Sequence, residues 1–442
     1  MEAQVLHGNM NELKNELIEM LEVVVLQEMS EIHEQCIYKV PQGIRQHNPQ
    51  AYTPKIISIG PFHSPRGSII DNNNLFEMEE LKLKYLKGFL NRTKLCVDDL
   101  VFKVQEWENK IRNCYAGPVS FDSKDFLKII IVDACFIIEH FIRCFSVIGW
   151  KENDPIVLKP WLSKAIFRDL ILLENQLPFF VLEEIYKLAK INLEEIYKLA
   201  NLNLEAPSFV TITINFFRQF NLQNINSEKL CPKHFIDLIR FCLVPSSFHC
   251  VQEEMGTKIE NVYSVSQLSE AGLVFEVSES KCELDLKFDT GVFKIPCFQI
   301  NDSTERYMRN IIAFEQCHIF NSSSRYISQY FAILNFLINT EKDVSILVDK
   351  KIIVNWMSDA NEAATMVNNL CKNVTMPEFN SKYVSLCHGL NGFYENPRNK
   401  YKAIFVHEYF NTPWKIASTI TAILLVLFTL IQAVCSIWSL LK

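Results

Sequence analysis

The chain has 442 residues, more than one small unit needs, and its 49% hydrophobic and 21% charged residues are the composition of a folded protein rather than a disordered one. A net charge of −7 carries no basic excess, so no nucleic-acid partner is expected. The 14 cysteines are scattered without a Cys-x-x-Cys pair, which argues for reduced, buried thiols and against a zinc site.

The first residues lack the basic start and the apolar run of about 7–15 residues that a secretory signal needs. Leu13, Leu17, Met20, Leu21 and Val24 recur at helical spacing and predict a helical extension within 1–33. Pro41, Gly43, Pro49, Pro54, Gly60, Pro61 and Pro65 then predict an extended, turned stretch over 36–70, laid over the body. Helices are predicted at about 75–90 and 100–114. Asp122 is placed to cap the next helix, 126–145, with Asp125 in its first turn. That helix is apolar nearly all round and so belongs in the core, while Lys128, Asp133, Glu139, His140 and Arg143 exclude it as a membrane span.

Residues 161–201 read as helical, broken by Pro178. Within them Leu182-Glu183-Glu184-Ile185-Tyr186-Lys187-Leu188-Ala189 recurs, offset by 11 residues, as Leu193-Glu194-Glu195-Ile196-Tyr197-Lys198-Leu199-Ala200. Eleven residues are close to three helical turns, so this tandem duplication lengthens a helix without rotating its far end. Leu284, Leu286 and Phe288 alternate with Asp285 and Lys287, and Asp289-Thr290-Gly291 then turns the chain, predicting a β-hairpin within 272–300. Helices resume at about 304–320, 328–339, 344–355 and 361–369, with another from about 379. The expected fold is mainly α with a small antiparallel β part, in one large body over 34–405, followed by a C-terminal transmembrane helix.

Residues 416–441 carry no charge, and about 20 apolar residues suffice to cross a bilayer. Trp414 and Trp438 sit near the ends, where indole rings favour headgroups, and Pro413 suits a first helical turn. The expected anchor is 413–442, touching lipid through Trp414, Ile416, Leu424, Leu427, Trp438 and Leu441. Arg398, Lys400, Lys402 and Lys415 precede it and only Lys442 follows, so the positive-inside rule expects a cytosolic body. The Asn-x-Ser/Thr sequons at Asn91, Asn301, Asn321 and Asn373 would then go unused.

Arg168, Asp169, Glu174, Asn175 and Gln176 lie among Leu, Ile and Phe. They are expected to form a paired, structural polar network, since buried polar groups must be satisfied, rather than a catalytic carboxylate cluster. Cys317-His318 and Cys387-His388 are adjacent on helices and point about 100° apart, so neither pair can act as a dyad. His63 is expected to be a surface loop residue. No dinucleotide, phosphate-loop, zinc-protease or Gly-x-Ser-x-Gly motif occurs, and neither a cofactor nor a metal site is expected.

Several blocks together resemble the plant "domain of unknown function 247" family. They are Cys36-Ile37-Tyr38-Lys39-Val40-Pro41, Ala51-Tyr52-Thr53-Pro54 and Ser58-Ile59-Gly60-Pro61-Phe62-His63. Val132-Asp133-Ala134-Cys135-Phe136-Ile137-Ile138-Glu139 follows, with Ala134 where the family usually has Gly. The stretch from Arg168-Asp169-Leu170 through Glu174-Asn175-Gln176-Leu177-Pro178-Phe179-Phe180 is the most specific. Ala313-Phe314-Glu315-Gln316-Cys317-His318 and Tyr409-Phe410-Asn411-Thr412-Pro413-Trp414 complete the order. The resemblance implies a C-terminal membrane helix and supplies no catalytic residues; some grass members of that family are associated with pollen–pistil recognition. The expected function is a membrane-anchored interaction or signalling/recognition module with an unknown protein partner; the alternative is a membrane-tethered, hydrolase-like enzyme.

Overall fold

The computed structural model describes residues 14, 34–65, 73–93, 95–145, 154–190, 207–226, 230–245, 256–319, 321–375, 378–410 and 413–440. The N-terminal extension expected within 1–33 and the second copy of the repeat, 193–200, lie outside the described residues. The elements in chain order begin with β1 (Ile37–Tyr38), α1 (Asn73–Thr93), α2 (Val97–Glu106), α3 (Glu108–Asn113), β2 (Tyr115–Ala116) and α4 (Ser123–Phe145). Then come α5 (Pro160–Leu170), α6 (Phe179–Leu188), α7 (Phe209–Phe216), α8 (Phe235–Leu243) and α9 (Val265–Glu270). The short strands β3 (Val274–Ser278), β4 (Lys287–Asp289), β5 (Val292–Pro296) and β6 (Phe298–Ile300) lead to α10 (Asp302–His318) and α11 (Tyr326–Leu337). The chain closes with α12 (Glu341–Asp349), β7 (Ile353–Asn355), α13 (Ala360–Leu370), α14 (Ser381–Glu395), α15 (Pro397–Phe410) and α16 (Pro413–Leu440). The protein is mainly helical with small sheets, and one C-terminal helix is long and apolar enough to cross a membrane.

The chain forms two units. The first comprises Met1–Val244, Ser303–Asn321 and Lys372–Thr375; the second comprises Pro245–Asp302, Ser322–Cys371 and Met376–Lys442. At the centre of the first unit is α4, buried on all sides from Phe126 to Arg143 apart from Lys128. The expected cap is present: the Asp125 amide donates to Asp122 Oδ1 at 2.7 Å. An aromatic core gathers beside α4, with Phe141 stacked on Phe216 at 4.1 Å and Phe209, Phe217 and Phe235 around it. Five of the chain's 32 phenylalanines gather here, where large rings fill volume beside a buried helix.

The polar groups of α4 are matched by α1. Lys82 Nζ reaches Asp133 Oδ1 at 2.7 Å, and Arg92 reaches Glu139 at 2.9 Å. Arg143 bridges Glu139 at 2.8 Å and Asp154 at 2.6 Å while lying over the Tyr85 ring. A Cβ on Gly88 would stand 2.6 Å from Arg143 Nη2, so glycine there makes room for the guanidinium. Buried charges endure only when paired this completely.

In the second unit the expected hairpin is formed by β4 and β5, antiparallel with Asp289 opposite Val292. Its two-residue loop has positive φ at both Thr290 (45°) and Gly291 (85°), the type I′ geometry that matches strand twist. Among the described strands the other three pairings, β1–β2, β3–β5 and β6–β7, are parallel. β1–β2 and β6–β7 join segments distant in sequence, which local alternation does not reveal.

Three helix expectations are corrected. The 100–114 helix is two, meeting at Trp107. The helix expected over 344–355 ends at Asp349; Lys351 turns back with φ 59°, and the β-branched Ile353-Val354 pair with β6. The 161–201 helix is not merely kinked at Pro178, because 171–178 is not helical and Pro178 is the residue that caps α6.

Candidate functional site

The 171–178 loop is almost wholly buried: Ile171, Leu172, Leu173, Asn175 and Gln176 are 0% exposed. A buried loop must find partners for its own backbone, because no water reaches it. Gln176 Nε2 donates to the carbonyls of Leu170 and Leu172 at 2.6 and 2.8 Å, and Asn175 Nδ2 donates to the Asp169 carbonyl at 2.9 Å. The Leu173 amide donates to Asn310 Oδ1 at 2.8 Å, and Tyr115 donates to the Gln176 carbonyl at 3.0 Å. Gln176 Oε1 accepts from the Phe235 amide at the start of α8.

The same side chains hold the 36–62 stretch by its backbone. Asp169 Oδ2 accepts from the amides of Lys55, Ile56 and Ile57 at 3.0, 2.7 and 3.0 Å. Asn175 Oδ1 accepts from Ile59, Asp133 Oδ2 from Gly60, and Glu174 Oε1 from Val40. Gly60 has φ +71°, and a Cβ on it would stand 2.7 Å from the Gln176 carbonyl oxygen, so this close approach requires glycine. Asn310 Nδ2 donates to the Ala51 carbonyl. The resemblance blocks at 36–41, 51–54, 58–63, 132–139 and 168–180 thus meet at one polar lattice. The extended stretch expected over 36–70 is anchored there through its described part, 36–65.

Four of the five residues expected in a polar network, Asp169, Glu174, Asn175 and Gln176, are brought together and paired. Arg168 is not among them: it is exposed on α5, and Asp169 instead faces Arg306 Nη1 at 3.6 Å. Consecutive helix positions diverge by about 100°, so Arg168 cannot share the inward direction of Asp169. Glu174 pairs with Arg45 and with His63 Nε2 at 2.9 Å, so His63 is a half-buried partner rather than a bare surface group. Sequence reading missed Arg45, Lys82, Arg306, Asn310 and His234. For His234 a signal existed, since His-x-x-Asp precedes an apolar run. Its Nδ1 accepts from the Asp237 amide and its Nε2 donates to the Cys36 carbonyl, which fixes the tautomer.

The electrostatics of the lattice are those of a structural site. Burial pushes the Glu174 carboxyl upward, but the donors His63, Arg45 and the Val40 amide outweigh it and hold it below its ordinary range. A general base works best near neutrality, and a depressed carboxyl already engaged by three donors is a poor one. Burial pushes the Asp133 carboxyl up to about 6 against the pull of Lys82. Burial lowers His318 to about 4, and Tyr38 Oη lies 3.0 Å from its Nδ1. Burial pushes the Cys387 thiol to about 12, far from a thiolate nucleophile. Among the described residues no three His, Cys, Asp or Glu side chains group as metal ligands.

The second candidate is α16. Of its stretch Pro413–Trp438, none is buried against protein. Trp414 is 85% exposed and Trp438 68%, and Ile416, Leu424 and Leu427 are exposed between them; Leu441 lies outside the described residues. The hydroxyls of Thr421 and Thr429 donate to the carbonyls of Ala417 and Leu425. Such internal pairing leaves few polar hydrogens unsatisfied in an apolar medium. A continuous apolar helix this exposed is far larger than the patch a soluble monomer usually presents to water.

A mainly helical body built on a buried polar lattice, followed by a bare apolar helix, defines the class of architecture. The chain belongs to the plant "domain of unknown function 247" family, described as plant protein of unknown function, which matches residues 37–428. It is similar to the UPF0481 protein At3g47200 of Arabidopsis thaliana, 30% identical over 95% of this chain and 89% of the relative. It is also similar to the putative UPF0481 protein At3g02645 of the same plant, 23% identical over 90% of this chain and 89% of the relative. No solved structure matches the chain significantly.

Proposed function

We propose that this protein is a membrane-tethered interaction or recognition module, held to a bilayer by α16 with its helical body on the cytosolic side. The observation that carries the reading is the apolar length of α16, none of it buried against protein from Pro413 to Trp438, which a hydrocarbon environment would cover. Arg398, Lys400, Lys402 and Lys415 before the helix support the cytosolic side by the positive-inside rule. The saturated carboxylates of the lattice favour a scaffold over a catalyst, because in Asp133, Asp169 and Glu174 one oxygen holds backbone amides and the other faces a cationic side chain. The test is alkaline carbonate extraction of membranes carrying the full chain or a chain lacking Trp414–Lys442. The full chain should stay in the pellet and the shortened chain should leave it. Retention of the shortened chain would refute the anchor.

A further inference from the structure

Between the body and α16 lies α15, whose surface differs from that of an ordinary solvent-facing helix. Tyr401, Phe405 and Tyr409, spaced i, i+4, i+8, form one stripe and are 73%, 52% and 51% exposed. Ile404 widens it at 50% exposed, and the rings of Phe405 and Tyr409 stand 5.2 Å apart. Arg398, Lys400 and Lys402 share the helix, and Lys415 opens the first turn of α16. From Pro397 to Lys415 the only carboxylate is Glu408, which lies 3.9 Å from Lys415.

Lys400 and Lys402 also line a cleft of about 980 Å³ with Gly272, Gly291 and Glu270. The cleft's Glu270 is matched by Lys342 at 2.9 Å. Glu408 also lines it and faces Lys415, so both of the cleft's carboxylates are matched elsewhere, while no ion pair engages Lys400 or Lys402 among the described residues. Only residues 411–412 separate α15 from α16. A helix of 14 residues is about 21 Å long, so all of α15 remains close to the point where α16 would enter a bilayer.

We propose, building on the membrane-tethered reading, that α15 docks along an anionic lipid surface, its aromatic stripe in the headgroup region and Arg398, Lys400 and Lys402 on lipid phosphates. Tyrosine and other amphipathic aromatic side chains favour that interface, and basic residues next to a spanning helix are drawn to anionic leaflets. The charge excess selects a lipid surface over an apolar protein groove, which would leave the lysines without counter-charge.

The experiment is hydroxyl-radical footprinting of the full chain in nanodiscs of phosphatidylcholine alone, or with about one-third phosphatidylserine, chosen to supply the anionic charge. Tyr401, Phe405 and Tyr409 should be labelled several-fold less in the anionic discs. Each cation near such a surface contributes about fivefold, so Lys400→Gln with Lys402→Gln should weaken docking about 25-fold and restore the labelling. Equal labelling in both lipids, or protection that survives the double substitution, overturns the proposal. Trp438 separates the two readings. If Trp438 is protected while the stripe stays labelled, only the docking fails; if the chain leaves the discs and Trp438 is labelled freely, the anchor and the docking fall together.

Discussion

Asp169 gives the sharpest test of the lattice. Its side chain is 1% exposed, and one of its oxygens accepts three consecutive amides. In Asp169→Ala the Ile57 amide, at a residue 0% exposed, has no water to replace the lost acceptor, while Lys55 is exposed and can be hydrated. One or two stranded amides cost about 1–3 kcal/mol each, and Arg306 loses the carboxylate it faces. The sum is about 3–5 kcal/mol, the range for breaking a buried pair and a large share of a typical stability. Asp169→Asn keeps the acceptor and loses the charge, for about 1–2 kcal/mol. Arg306→Ala leaves the three amide bonds intact and should cost a similar, smaller amount. Arg168→Ala, at an exposed position, should stay within about 0.5 kcal/mol. The assay is urea unfolding of the full chain in detergent micelles, comparing midpoints at equal slope. If Asp169→Ala unfolds like the parent, or Arg168→Ala proves as costly, the assignment of roles in the lattice is wrong.

Gly60→Ala should destabilise by about 2 kcal/mol or more, because it meets both a positive φ and a carbonyl at 2.7 Å; a melting temperature equal to the parent's would show that the loop can shift freely. Burial lifts the Glu283 carboxyl from 4.5 to about 7, so the native state binds its proton more tightly than the unfolded chain. Its contribution is therefore fully present below about pH 4.5 and lost as pH rises through 7. Glu283→Gln should flatten that decline, and unfolding curves whose pH slope is the same in both proteins would contradict it. Burial lowers His140 and His234 to about 3, which acts in the opposite sense: stability falls as pH drops from 6.5 toward 3, and a protein insensitive to acid across that window would refute the buried neutral tautomers. Removing residues 191–201, one repeat length, should leave the melting temperature nearly unchanged, because the first copy keeps its buried Leu182 and Ile185 on α6, which ends at Leu188; aggregation of the shortened chain would show that both copies are needed.

Much of the fold could be read from local pattern. The caps, the all-round apolar α4, the hairpin and the bare C-terminal helix are each signalled within a few residues of where they occur. What could not be read depends on partners far along the chain. The residues from Ile171 to Pro178 carry a helix-like composition, and only the amides and carbonyls supplied by Asn175, Gln176, Tyr115 and Asn310 make a buried loop affordable there. Parallel pairing of β6 with β7 likewise joins residues more than fifty apart in sequence. The polar network was legible as a composition, charged and amide groups among aliphatics, but its pairing was not. The cation for Asp169 comes from α10 and that for Glu174 from the turn Gln42–Arg45, so the nearest arginine in sequence was the wrong one.

We propose that α16 holds the body on the cytosolic face of a membrane. Protease added to sealed vesicles with that face outward tests it most directly. The body should be digested and a short fragment containing α16 should remain bound to the vesicles. A body protected until detergent opens the vesicles would contradict the orientation, and a fragment released into the supernatant would contradict the anchor itself.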